Sequence, residues 1–298
     1  MNLADLKAFI AVAETGSINR AAARLNLTQP AVTRRVQSFE SAMGASLLDR
    51  SSKPPTLTGA GQRALAYSRK VLQAIEDLSW HAGEGDGPAG DFRLGVAPGF
   101  LDAALGAPLD ALIQRFPKVT PRITSGWSGG LLDAVRTNVL DAALVLLTEP
   151  QPARHDLTLR SFRQDDVVII AARRTPISAS PSVADIGRHP WVLNPRGCGF
   201  RAALQAAVDR EHAHLNLCAE VQGYELQLSL VARGVGFGLV PGARLKASPL
   251  RKALKIISPH DFRLAVTPAI ATVGRHDRFV PLVDLLAFEI EHRRTALA

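Results

Sequence analysis

The sequence predicts an α-helical N-terminal module with a short two-stranded appendage, one long helix, and two α/β units behind it. Three observations predict this. Apolar residues recur at spacings of three and four over residues 3–43 and again over 58–82, the period of buried helix faces. Four glycines and a proline then fall between Gly83 and Gly90, a run that no helix survives. Beyond it, short Val/Ile/Leu/Ala runs alternate with amphipathic stretches. That order builds parallel sheets covered by helices on both faces.

The elements follow in chain order. Leu3, Leu6, Phe9, Ile10 and Ala13 form the stripe of a first helix, with Asn2 as its N-cap and Thr15-Gly16 as its stop. Ser17 caps a second helix that buries Ala21, Ala22 and Leu25, and Asn26-Leu27 is a tight turn. A third helix opens at Thr28, with Gln29 and Pro30 in its first turn, where proline is tolerated. Val32, Val36, Phe39 and Met43 make its buried face, while Gln29, Thr33, Arg34 and Gln37 lie opposite. Such a helix docks on its neighbour by its apolar back and offers Gln, Thr and Arg to base edges and phosphates in a major groove. After Gly44, Ser46 to Leu57 reads as extended around Arg50, Lys53 and Pro54-Pro55. This is a wing whose basic tip reaches phosphates or the minor groove. A helical hairpin that binds protein, its basic residues solvated, is the competing reading of the motif alone.

Taken together, Gly16-Ser17, Arg20-Ala21-Ala22, Arg24-Leu25, Thr28-Gln29-Pro30-Ala31-Val32-Thr33, Phe39-Glu40, Gly44, Leu47-Leu48, Arg50 and Leu57-Thr58-Gly59-Ala60-Gly61 carry a resemblance. The run resembles the N-terminal winged helix-turn-helix of LysR-type transcriptional regulators. Departures are mild: the family usually has Ser where Thr28 and Thr33 stand, and Leu where Phe39 stands. The resemblance implies DNA contact by Ser17, Arg20, Thr28, Gln29, Pro30, Thr33, Arg34, Arg50 and Lys53.

From Thr58 to about Ala82 a long helix carries Ala64, Leu65, Ser68, Val71, Leu72, Ile75, Leu78 and Ser79 at helical spacing. A seam of moderate bulk running past a small domain suggests pairing with a second copy, which would set two recognition helices on a roughly palindromic site. Packing on the chain's own C-terminal part is the alternative. Next come a strand over 92–97, a helix over 101–116, a strand over 119–125, a helix over 131–138 and a strand over 142–147. A second set has strands at 167–172 and 191–193, a helix at 200–211, a strand at 217–221, a helix at 224–232 and a strand at 236–240. A strand at 270–273 and a helix at 279–293 close the chain. Two such units imply a cleft, the usual seat of a small ligand. Ala219 to Pro241, ending in GVGFGLVP, resembles the effector domain of the same family, and the whole layout is similar to a periplasmic-binding-protein fold. The expected domains are therefore 1–58 for DNA, 59–82 as linker and dimerisation helix, and 83–90 as hinge. Residues 91–298 form the effector domain, with subdomain I over about 91–160 and 268–298 and subdomain II over about 161–267.

Helix N-termini at the ends of parallel strands attract anions and carbonyl oxygens. The loops are Pro98-Gly99-Phe100, Trp127-Ser128-Gly129, and Arg196 to Arg201 with Cys198 and Phe200 between. The resemblance places all of these, with Tyr224, around the effector cleft. Phe100 and Trp127 supply walls and Arg196 charge, which favours a small organic anion, a carboxylate with an apolar body. The first loop departs from the family's frequent Ser or Thr.

Other patterns compete. Gly126-Trp127-Ser128-Gly129-Gly130 matches the G-x-S-x-G nucleophile elbow, with Asp185 and His189 or Asp261 and His276 as nameable partners, but no oxyanion loop accompanies it. An α/β hydrolase-like enzyme, or a small-molecule binding protein with a fused helical domain, is thus the rival class. Gly234-Val235-Gly236-Phe237-Gly238 is followed by Leu239 where a dinucleotide loop needs glycine. His212 and His214 have no ligand cluster around them, so neither metal nor cofactor is expected. Cys198, flanked by Arg196 and Arg201, would be a stabilised thiolate if exposed and a plain core residue if buried.

Charge agrees with nucleic-acid binding. The 298 residues carry a net +8, and residues 1–80 hold ten Lys/Arg against six Asp/Glu. No apolar run approaches the ~20 residues of a membrane span, the two cysteines imply no disulfide framework, and the cytoplasm is the expected compartment. The sequence therefore points to a regulator rather than an enzyme. Its expected partners are double-stranded promoter DNA, a small-molecule effector, itself as a dimer or a tetramer, and RNA polymerase.

Overall fold

A computed structural model describes residues 2–52, 54–82, 87–100, 103–148, 156–178, 180–274 and 278–296. Two compact units are present, the first taking in residues 1–87 and 137–139 and the second residues 88–136 and 140–298.

In the first unit, α1 (Leu3–Thr15), α2 (Ile18–Arg24) and α3 (Gln29–Met43) surround one core. A reciprocal capping box starts α1: the Asp5 N–H donates to Asn2 Oδ1 at 2.8 Å and the Asn2 N–H to Asp5 Oδ2 at 3.2 Å. Gly16 ends the helix at φ +60°, and Gly44 ends α3 at φ +64°, both in the left-handed region where glycine carries no steric cost. Asn26 makes the α2–α3 turn at φ +52°. Thr28 stands at the N-cap of α3, but its side chain makes no capping hydrogen bond. The buried face of α3 is Val32, Val36 and Phe39, with Phe39 stacked on Phe9 at 5.1 Å between centroids. Met43, expected on that face, is 43% exposed, because the last turn of α3 runs beyond the core.

The wing is shorter than the sequence suggests. Among the described residues, only β1 (Leu48–Asp49) and β2 (Thr56–Leu57) pair, antiparallel, with Leu48 opposite Leu57. Thr58 ties the wing to α4 (Gly59–Ala82): its N–H donates to the Leu47 carbonyl at 3.0 Å and its hydroxyl to the Ser46 carbonyl at 2.9 Å. Gly61 must be glycine there, since a Cβ would collide with the Leu47 carbonyl.

The second unit begins with β3 (Gly90–Val96), α5 (Ala103–Arg115), β4 (Val119–Ser125), α6 (Ser128–Arg136) and β5 (Ala142–Leu147). Then come β6 (Thr158–Ser161), β7 (Asp165–Ala172), α7 (Val183–Gly187), β8 (Trp191–Leu193), α8 (Gly199–Arg210), β9 (Leu217–Glu220) and α9 (Tyr224–Ala232). The chain closes with β10 (Gly238–Pro241), α10 (Gly242–Ala247), β11 (Leu254–Ile257), β12 (Leu264–Thr272) and α11 (Val280–Ala296).

The sheet is mixed, which corrects the all-parallel expectation. β3 pairs with β4 and β5 in parallel, and β8 pairs with β9 in parallel, as the alternating order requires. β7, however, pairs antiparallel with β10, β11 and β12. The returning β12 is also much longer than the four-residue strand read from sequence. Its Leu264–Val266 segment pairs with β7 and its Thr267–Thr272 segment with β5. Pro268 lies inside it and hid the strand, since proline usually marks a strand's edge or end. Strands β6 and β11 and helices α7 and α10, each of six residues or fewer, are too short to carry a periodic signal in the sequence.

Two cores result. Phe92, Leu94, Leu144 and Phe279 anchor one, with Phe92 and Phe279 at 5.1 Å. Ile170, Trp191, Leu204, Leu228 and Phe237 anchor the other, and the Trp191 indole donates to the Ile186 carbonyl at 3.0 Å.

Candidate nucleic-acid interface and effector cleft

The outward face of α3 carries Gln29, Pro30, Arg34 and Gln37, all exposed, with Thr33 half-buried among them. Thr28 and Arg20 are exposed on the same motif, and the Ser17 hydroxyl accepts the Arg20 N–H at 3.4 Å as the α2 cap. Ser17 is thereby partly occupied by its own helix. A glutamate that sequence reasoning left unassigned organises the wing. Glu40 Oε1 accepts the N–H groups of Leu47 at 2.8 Å and Leu48 at 3.1 Å, while Oε2 meets Arg50 Nη2 at 2.8 Å. Arg50 is thus an exposed wing cation already paired within the unit. Lys53 lies outside the described residues. At the wing turn the Ser51 hydroxyl, and then its N–H, bond Asp49 and hold its carboxyl below the usual range.

Behind this face, Glu14 joins three helices, meeting Arg24 at 2.7 Å and Arg69 at 3.2 Å. On α4, Tyr67, Val71 and Leu78 are exposed at 69%, 47% and 67% and lie on one stripe, at spacings of four and seven. Leu72, expected in that seam, is half-buried and packs against the core of the first unit.

In the second unit, the loops between the two cores converge. Pro98 and Phe100 are buried in a single 3-10 turn. Gly99 fits between Leu146 and Tyr224; a Cβ there would stand 2.5 Å from Leu146 Cδ1 and 3.5 Å from Tyr224 Cε2. Its carbonyl accepts from Arg244 of α10, Nη2 at 2.5 Å and Nε at 3.2 Å. Trp127 lies half-buried against Gly197, which has φ +100° and whose Cβ would stand 2.7 Å from Trp127 Cδ1. Gly199, at the start of α8, lies beside the Thr148 hydroxyl. Phe200 and Tyr224 are buried, their rings 6.3 Å apart.

Several expected side chains are engaged elsewhere. The Ser128 hydroxyl donates to the Leu146 carbonyl and accepts the Leu146 N–H, both at 2.9 Å. That locks α6 to β5 and removes it as a nucleophile: Asp185 caps α7 with Ser182, Asp261 accepts the Val183 N–H, and His189 stacks on Phe237. His276 lies outside the described residues. Arg201 meets Glu220 at 2.5 Å and the Asn194 carbonyl at 3.1 Å. Arg196 is exposed. Cys198 is buried at 4%, and burial pushes its thiol above the usual range despite N–H groups of Arg201 and Phe200 that pull it down. Of the two readings of Cys198, the plain core residue is therefore the one that holds, with its thiol protonated at neutral pH. Sequence reasoning missed Arg244 and Thr148. Arg244 lies three residues past Pro241 in a segment that carried no helical period. Among the described residues, no group of three or more His, Cys, Asp or Glu is placed to hold a metal.

Residues 3–62 match the family model for the bacterial regulatory helix-turn-helix protein, lysR family, and residues 85–286 match the LysR substrate binding domain. The chain belongs to the LysR family. The HTH-type transcriptional regulator GltR of Bacillus subtilis (strain 168) is 26% identical over 93% of this chain and 96% of its own length. Full-length OxyR from Pseudomonas aeruginosa superposes with a TM-score of 0.76 at 21% identity, covering 97% of this chain and 94% of that one. Full-length CbnR, solved in complex with its target DNA, gives 0.58 at 22% identity, over 99% of this chain and all (100%) of the other. This LysR-family chain is a DNA-binding transcriptional regulator with an effector-binding domain, not an enzyme. No described helix is long and apolar enough to cross a membrane.

Proposed function

We propose that this regulator binds promoter duplex as a homo-oligomer and changes its grip when a small organic anion enters the cleft of the second unit. The carrying observation is the exposed Gln29, Arg34 and Gln37 row, with Thr33 half-buried among them, on an α3 whose back is fixed by Phe9 and Phe39. Such a row fits a major groove, with Arg34 or Gln29 reading bases and Arg20, Thr28 and the wing cations Arg50 and Lys53 on phosphates. The division of labour is 1–58 for DNA, 59–82 for pairing of two chains, 83–90 for the hinge, of which 83–86 lie outside the described residues, and 91–298 for the effector. Residues 91–160 with 268–298 and residues 161–267 are the two lobes. Tetramers form through the α/β units, and RNA polymerase in the cytoplasm is the downstream partner. CbnR's structure on its target DNA supports the DNA reading by likeness of fold.

For the effector, the support is one loop cluster in which Gly99 packs on Tyr224 and Gly197 on Trp127. Arg244 and Arg196 supply guanidinium groups, α8 its N-terminal N–H groups, and Phe100, Trp127 and Tyr224 an apolar surround. Calorimetry on a panel of small carboxylates and their matched amides tests this reading. Carboxylates that bind, with amides that do not, support it; equal or tighter binding of the amides sinks it. For DNA, loss of sequence preference in Arg34→Ala supports the groove assignment, and retained preference rejects it.

A further inference from the structure

Charge in the second unit is concentrated. The stretches 167–184 and 226–260 hold eight of the 25 Lys/Arg of residues 81–298 and none of their 21 Asp/Glu. Eight is also the net charge of the entire chain, so the rest of the molecule balances to zero.

The fold brings most of these cations to one place. β11 pairs along β7 with Leu254 opposite Ala172, which sets the turn after β7 against the 3-10 turn Pro249–Ala253. The Arg173 N–H donates to the Ala253 carbonyl at 2.8 Å and its Nε to the Lys252 carbonyl at 2.9 Å. Lys255 Nζ donates to the Thr175 carbonyl at 2.7 Å. Arg173, Arg174, Lys246, Arg251 and Lys252 are exposed, and Lys255 is half-buried beside them. Among the described residues none of these six is in an ion pair. Like charges held this close raise the free energy of the unit unless an anion covers them.

We propose that this patch is a second, sequence-independent contact for the phosphate backbone of duplex DNA. Three features choose duplex over an acidic protein. Long, exposed Lys and Arg side chains match phosphates, which need charge and tolerate imprecise geometry. Among large apolar side chains of β11, only Ile256 is exposed, at 52%, which is too little for the apolar centre that holds a protein partner. The patch is also tethered to a domain that already holds DNA, so even a weak contact acts at high effective concentration. The contact would add length and salt sensitivity to binding without adding sequence preference.

The test is a salt titration of full-length protein on a mixed-sequence duplex of about six helical turns. It compares the unaltered chain with the quadruple variant Arg174→Gln, Lys246→Gln, Arg251→Gln and Lys252→Gln. Each lost phosphate contact flattens the slope of log K against log salt by about 0.9, so the variant is expected to lose about two units or more of slope and about tenfold in affinity near 0.1 M salt. The charge-keeping set Arg174→Lys, Lys246→Arg, Arg251→Lys and Lys252→Arg should retain the slope, which separates charge from misfolding. Arg34→Ala should lose sequence preference while keeping this part of the slope, so the patch and the recognition helix fail independently. Equal slopes for the Gln variant and the unaltered chain overturn the proposal. Equal slopes with weaker retention on polyglutamate beads overturn it in favour of an acidic protein partner.

Discussion

Glu40 and Arg50 face each other at the junction of the recognition helix and the wing, Oε2 to Nη2 at 2.8 Å. Because the other carboxylate oxygen accepts the N–H groups of Leu47 and Leu48, one side chain fixes the wing's direction and orients its cation. A phosphate that reaches Arg50 meets a guanidinium already held in place, with less side-chain entropy left to lose.

Glu40→Ala should therefore destabilise the first unit by about 1–3 kcal/mol, since two partly buried N–H groups lose their acceptor. Glu40→Gln keeps an acceptor oxygen and should cost less. Chemical denaturation of both variants ranks them; an Ala variant as stable as the Gln variant would contradict the role.

Arg34→Ala should weaken binding to a preferred site by about 1–3 kcal/mol and relax sequence choice, whereas Arg50→Ala should weaken all duplexes alike. Competition of specific against mixed-sequence duplex distinguishes the two. Equal specificity ratios in both variants would place Arg34 on the backbone.

Tyr67→Lys, Val71→Lys and Leu78→Lys together should turn a dimer into monomers, read as mass in sedimentation. These exposed positions are chosen over Leu72, whose loss would cut into the core of the first unit. Unchanged mass would assign the pairing to another surface.

Gly197→Ala should strain the cleft. The residue sits at φ +100° and an added Cβ would press on the Trp127 indole at 2.7 Å, so a cost of about 1–3 kcal/mol and a shifted Trp127 emission are expected. An unchanged spectrum relative to a Trp127→Phe background would mean that the two groups do not touch.

Thiol labelling should split the cysteines. Cys218 is exposed and should react quickly, while Cys198, buried with its pKa raised, should lag at pH 7 to 8 and remain slow until local opening. The sign for stability follows: a folded-state pKa above the unfolded one leaves stability intact below the ordinary thiol value of about 8.5 and erodes it as pH climbs through the raised value. Cys198→Ala should flatten that alkaline loss, measured by thermal melts across pH. Rapid labelling of both thiols would refute the burial argument.

What could be read from sequence followed the strength of the local signal. Val119–Ser125, Ala142–Leu147, Trp191–Leu193 and Tyr224–Ala232 were read to the residue, because apolar period and flanking turn residues agree there. Met43 is exposed where its spacing predicts a buried face, because period alone gives a face, not what the face meets. Arg244 escaped because its role depends on a carbonyl 145 residues away in sequence. Ser128 looked available because nothing in its neighbourhood announces that Leu146 occupies its hydroxyl from both sides.

Strand β12 sets how the lobes of the second unit can move. Its nine residues are bonded to β7 at one end and to β5 and β6 at the other, leaving no slack joint between. Relative motion of the two halves therefore twists a shared ribbon. Small twists keep both sets of ladder hydrogen bonds, whereas a hinge placed within this strand would have to break them.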